Sequence, residues 1–75
     1  MTAMAFAPLP VDQLTPRELL VLRCASYGLS NAETGVRCGV SEGAVKWHRT
    51  NLIRKLEARN ITHAVAIGYA EGWLR

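Results

Sequence analysis

Five cations, Lys46, Arg49, Arg54, Lys55 and Arg59, fall within fourteen positions of a 75-residue chain, against the single acid Glu57. Such a local excess is the electrostatic footprint expected for a polyanion partner, and it says more than the net charge of +3 carried by the whole chain. Most of it lies in one stretch, SEGAVKWHRTNLIRKL, from Ser41 to Leu56. On a helical wheel at about 100° per residue, Val45, His48, Leu52 and Leu56 gather on one arc with Ile53 at its edge. Lys46, Trp47, Thr50, Asn51 and Arg54 point away from that arc, and Lys55 lies on a flank. The seam is suited to packing and the opposite face to meeting something else. Lysine and arginine reach phosphates or guanine acceptors, threonine and asparagine probe base edges, and a helix N-terminus presents free N–H groups and a partial positive charge to a phosphate oxygen. Arg49 falls inside the apolar arc, so its stem is expected to pack while its guanidinium snorkels out. The plainer alternative is a solvated basic helix with no partner; the two capped helices and the tight turn that precede it weigh against that alternative.

Other chemistries find little support. His48 and His63 are the only histidines, and together with Cys24 and Cys38 they lack zinc-ligand spacing. There is no glycine-rich phosphate loop, nucleophile elbow or paired-carboxylate site, so neither an enzyme nor a cofactor nor a metal is expected. The two cysteines form no CxxC and read as small apolar core residues, which suits a reducing compartment. The start, MTAMAFAPLP, lacks a basic n-region, and no run approaches the ~20 apolar residues of a membrane span. A cytoplasmic protein without a membrane partner is the expectation.

The chain has room for one small domain, whose core is marginal unless something such as a second subunit helps it. Residues 1–14 read as an irregular arm in which Met4, Phe6, Leu9 and Val11 could dock on the domain formed by 15–75. Thr15-Pro16-Arg17-Glu18 is a helix start, with threonine as cap, proline at the first position and glutamate closing a capping box. Ser30-Asn31-Ala32-Glu33 repeats the box. Gly35, inside the second helix, costs about 1 kcal/mol relative to alanine and is expected to admit a neighbouring backbone. Ser41 caps a third helix and Thr62 a fourth. The predicted fold is all-α, with helices at about 16–27, 31–38, 42–58 and 62–72. The second and third, joined by the turn Cys38-Gly39-Val40-Ser41, outline a helix-turn-helix.

With those residues in place, the run from Leu14 to Leu74 resembles the LuxR-type (GerE-type) DNA-binding domain of bacterial transcription regulators. The motifs that carry the resemblance are LTPRE at 14–18, GLSN at 28–31, VS at 40–41, VKWH at 45–48, RKL at 54–56 and AVA at 64–66. It implies a four-helix domain whose third helix enters the major groove of double-stranded DNA and whose fourth forms a two-fold dimer. By position it implies that Lys46, Trp47 and Thr50 read bases, and that Ser41, Ala44, His48, Arg49 and Lys55 lie on or near backbone contacts, with Arg54 beside them on the outward face. The chain departs from the family where Ala44 replaces a frequent threonine, where Trp47 is bulkier than usual, and where Thr34, Gly35 and Cys38 make the second helix looser. In the fourth helix Ala64, Val65 and Gly68 can look inward. Ala66, Ile67 and Ala70 form a second small apolar face with His63 nearby, which suits a close helix–helix contact between two copies.

The expectation is therefore a stand-alone, sequence-specific, DNA-binding transcription regulator acting as a homodimer. The competing expectation is a protein-interaction module on the same scaffold. There the Leu20, Cys24 and Tyr27 stripe, with Leu19 beside it, would bind RNA polymerase or another regulator unless the arm covers it.

Overall fold

The computed structural model describes residues 14–75 as four helices: α1 (Pro16–Ser26), α2 (Asn31–Cys38), α3 (Glu42–Lys55) and α4 (Ile61–Ala70). The docking proposed for Met4, Phe6, Leu9 and Val11 lies outside the described residues. Leu14, counted with the arm, is buried and joins the core.

Each helix begins where a side chain takes up N–H groups that the helix itself leaves unpaired. Thr15 Oγ1 accepts from Glu18 N at 3.1 Å while Glu18 Oε1 accepts from Thr15 N at 2.9 Å. Ser30 and Glu33 form the same reciprocal pair at 3.0 and 2.8 Å. Ser41 Oγ caps α3 through Ala44 N. The cap of α4 is a correction: Asn60, not Thr62, precedes the helix, and its Oδ1 accepts from His63 N at 2.8 Å. The boundaries are corrected too. α1 ends at Ser26 with Tyr27 as its cap, and α4 runs Ile61–Ala70. α3 stops at Lys55 rather than at 58, because Glu57 takes a positive φ of 54° and turns the chain. Glu57 N then donates to Arg54 O and Ala58 N to Ile53 O, closing the helix end as a glycine-type cap without a glycine.

The core collects Leu14 and Leu22, Val21, Val45, Leu52, Leu56, Ala64 and Leu74 from all parts of the described chain except α2. Leu22, Val45, Leu52 and Ala64 are completely buried, and each fully buried large side chain of this kind contributes about 1.5–3 kcal/mol. α1 packs on both α3 and α4, and α2 packs on α3. Two glycines set these distances. A Cβ on Gly35 would lie 2.7 Å from Val40 O, so the turn after α2 closes directly onto that helix as the sequence suggests. A Cβ on Gly68 would lie 2.7 Å from Leu74 Cδ1, so Leu74 folds back against α4 through the space that glycine leaves.

Candidate nucleic-acid interface

Burial divides α3 as its wheel predicts. Val45 and Leu52 are buried, as is Leu56 at the cap, while Lys46, Trp47, Thr50 and Arg54 are exposed together on the other side. Asn51 is half-buried at the edge of that face. The polar groups there are already engaged with one another. Lys46 Nζ lies 3.8 Å from Glu42 Oε2, one turn earlier. Thr50 Oγ1 donates to Lys46 O at 3.0 Å, and Arg54 Nη2 donates to Asn51 Oδ1 at 3.1 Å. Trp47 is 63% exposed, and its ring meets that of His48 edge-on at a centroid distance of 5.1 Å.

The flank residues divide more sharply. Ser41 is exposed; its Oγ accepts from Ala44 N, and its hydroxyl hydrogen is left for an acceptor such as a phosphate oxygen. Ala44 is half-buried, has no polar side chain, and its N–H is already taken by that cap, so it offers no free hydrogen-bond donor at this position. The N–H groups of Glu42 and Gly43, in the first turn, are the ones α3 leaves without an intrahelical partner. His48 is half-buried with Nδ1 enclosed and unpartnered.

Arg49 differs from the snorkelling expected of it. It is half-buried, and its Nη1 donates to Asn31 Oδ1 at the start of α2, which ties the first residue of one helix to the middle of the next.

Lys55 has a partner that local spacing does not reveal. Its Nζ donates to Glu18 Oε1 at 2.8 Å, across 37 positions of sequence. Glu18 is 3% exposed and holds both its capping box and this ion pair. Burial pushes its carboxyl pKa up, but the bonds from Lys55 and Thr15 outweigh burial and hold it below its ordinary value of 4.5. The pair fastens the end of α3 to the beginning of α1. The sequence reading gave Glu18 and Asn31 only their places at helix starts, and it passed over Gly43. The first two act through tertiary contacts, for which one sequence holds no signal. Gly43 sits on the exposed face, where a Cβ would find only Ser41 Oγ, at 3.9 Å.

On α4, His63, Ala66 and Ala70 are exposed, as is Tyr69. Ile67 is half-buried and packs partly against the core, so it belongs less to the outer face than the alanines do. His63 Nδ1 accepts from Arg59 N at 3.0 Å, which fixes the ring beside the helix start. Cys24 is buried and Cys38 half-buried, both as free thiols, and burial followed by the neighbouring Cys38 thiol pushes the pKa of Cys24 up. Among the described residues no group of three or more histidine, cysteine or acidic side chains could hold a metal ion, and no helix is long and apolar enough to cross a membrane.

The chain is similar to several known proteins. Over 62 residues it is 39% identical to the nitrate/nitrite response regulator protein homolog of Haemophilus influenzae, which covers 83% of this chain and 30% of that protein. It is 42% identical over 60 residues to the response regulator RamR of Streptomyces coelicolor, covering 80% of this chain and 30% of the relative. It is 38% identical over 68 residues to the HTH-type quorum sensing-dependent transcriptional regulator RpaR of Rhodopseudomonas palustris, covering 91% and 28%. The chain thus spans less than a third of the length of these relatives. Residues 12–67 match the family of bacterial regulatory proteins described as the luxR family. With its capped helix-turn-helix and that match across most of its length, the chain belongs to the luxR family of bacterial regulatory proteins.

Proposed function

We propose that the chain is a sequence-specific DNA-binding transcription regulator that acts as a homodimer, with α3 in the major groove of each half-site. One observation carries this reading: Lys46, Trp47, Thr50 and Arg54 are exposed on a single face of a helix whose opposite face is locked into the core. A helix of this width fits the major groove. Lys46, Trp47 and Thr50 are placed to meet base edges. Ser41, Arg54 and His48 flank them toward the phosphates. Arg49, held by the neutral Asn31, adds positive charge from a fixed position, while the charge of Lys55 is balanced by Glu18.

The outer face of α4 supports the dimer. His63, Ala66 and Ala70, with Ile67 at the margin, let a second helix approach closely, and two copies would set their α3 helices about 34 Å apart, one turn of duplex. The relatives named as transcriptional and response regulators support the same role.

Fluorescence anisotropy of a labelled random duplex, titrated with salt, tests the proposal. Binding of about micromolar strength at low salt is expected, falling steeply as salt rises, by a log–log slope of about 0.9 per phosphate neutralised. Absence of binding at low salt would favour the second reading, a protein-interaction surface centred on Leu20 and Tyr27. That reading draws on their exposure, 38% and 58%, on the outside of α1. RNA polymerase is the partner it would test first.

A further inference from the structure

We propose that Cys24 and Cys38 are a modification site for hydrogen peroxide, which joins them in a reversible disulfide that staples α1 to the end of α2.

The two thiols are brought together by the packing of α1 on α2. Thr34 and Cys38 stand four positions apart on α2 and so share one face, and Thr34 on that face is only 2% exposed. The Cys24 side chain meets both of them across the contact between the two helices. Arg17, two turns before Cys24 on α1, donates from Nη1 to Cys38 O at 3.4 Å and holds the backbone of Cys38 against the same side of α1. Both cysteines are free thiols.

Their difference in access sets the order of events. Cys24 is 2% exposed and burial pushes its thiol pKa up, so it is not the thiolate that meets a solute first. Cys38, the last residue of α2, is half-buried and reachable from solvent. Its thiolate sulfur attacks one oxygen of the peroxide. The O–O bond breaks, the leaving hydroxide takes up the proton that the thiol released, and the sulfur is oxidised by two electrons to a sulfenic acid. The Cys24 sulfur then attacks that sulfur. The S–O bond breaks, and the hydroxide departs with the Cys24 proton as water. Two thiols and one peroxide thus give one disulfide and two waters.

The link falls where it has most to fix. α2 places no fully buried apolar side chain in the core; its own buried residues are Thr34 and Gly35. A covalent tie to α1 secures this helix immediately before the turn into α3. In a reducing compartment such a bond is transient, which is the behaviour of a sensor rather than of a permanent bridge.

The test exposes the dilute, folded chain to a modest excess of hydrogen peroxide and maps its peptides without reduction. Trypsin cuts after Arg23 and Arg37, so the disulfide joins residues 24–37 to residues 38–46 of one chain. Both thiols should be lost together, the product should run as a single chain on a non-reducing gel, and dithiothreitol should restore both. The urea midpoint of the oxidised chain should rise and return on reduction. In Cys24→Ala, Cys38 should stop at the sulfenic acid and be trapped by dimedone. In Cys38→Ser, whose circular dichroism should match wild type, Cys24 should stay unreacted while the chain is folded. Peroxide treatment that yields no linked pair of peptides, or links only separate chains, overturns the inference. So does a lowered urea midpoint, or a Cys24 in Cys38→Ser that reacts as fast as the wild-type thiols. None of these outcomes bears on DNA binding, so the proposed function stands or falls separately.

Discussion

The outer faces of α3 and α4 are exposed to a similar degree but differ in what they expose. α3 offers a lysine, an arginine, a threonine and an indole, several of them bonded to one another. α4 offers two alanines, a histidine, a tyrosine and a threonine, and no cation of the lysine or arginine kind. Exposure alone would treat the two faces as equivalent solvated surfaces. Their chemistry separates them. Small side chains add little to solubility but allow two backbones to approach, whereas long cationic ones reach across a hydrated gap to phosphates. On the function proposed above, polyanion contact falls to α3 and like-helix contact to α4.

Both faces depend on one anchor, so the largest expected effect removes both. Leu52 is fully buried on the inner side of α3. Leu52→Ala should cost about 2–5 kcal/mol. For a domain this small that is a large share of its stability, and urea denaturation should show a midpoint shifted far down or no native baseline. If Leu52→Ala unfolds near the wild-type midpoint, α3 is not held by its seam and the contrast between its two faces loses its basis.

The next effect separates the faces. Glu18 positions α3 through Lys55 and has no bond to α4 among those described. Glu18→Gln keeps the volume and some capping but leaves Lys55 without its anion, at an expected cost of about 2 kcal/mol. The pH dependence has a definite sign. The folded carboxyl titrates below its ordinary value of 4.5, so it contributes stability that is fully present above that value and is lost as pH falls through the lower, folded one. Between neutral pH and the acid range the wild-type midpoint should fall more than that of Glu18→Gln. Parallel curves would mean that the Lys55 bond does not survive in solution.

Much of this architecture is legible in the residues because it is local. The caps at Thr15 and Ser30 are each announced by a glutamate three positions on, and the buried arc of α3 follows from its period. What stayed hidden is either non-local or undecidable from neighbours. Glu18 meets Lys55, and Asn31 meets Arg49, only after the chain has folded. Asn60 and Thr62 are both capping residues within two positions of each other; the extended backbone at Asn60, φ −165°, decides between them, and residue type alone does not reveal that angle. The outward-facing residues of α3 were recognisable by type and spacing. The engagement of Thr50 with its own helix was not, because a threonine on a wheel carries no record of where its hydroxyl points.

Smaller effects test each face directly. Ala66→Glu on α4 should leave monomer stability within about 0.5 kcal/mol, because the residue is exposed. It should abolish the dimer by placing like charges across the two-fold, as read by sedimentation equilibrium. Arg54→Ala on α3 should leave the dimer intact and lower the salt slope of DNA binding by about 0.9. If Ala66→Glu reduces the salt slope while the protein remains a dimer, or Arg54→Ala dissociates it, the two faces have been assigned the wrong way round.

The smallest effect lies in the hinge between the two helices. Glu57 holds a φ of 54°, a region where a side chain is strained and glycine is not. It is also the one acid in the cationic stretch from Lys46 to Arg59. Glu57→Gly relieves the strain, at the expense of a more flexible unfolded chain, and should raise stability by up to about 1 kcal/mol. Removing a negative charge from this end of α3 should also tighten binding to any duplex at low salt, an advantage that shrinks as salt rises. The pairing of effects is the test. If Glu57→Gly stabilises the fold but leaves low-salt affinity unchanged, the end of α3 lies away from the DNA, and the phosphate-facing surface must end before Lys55.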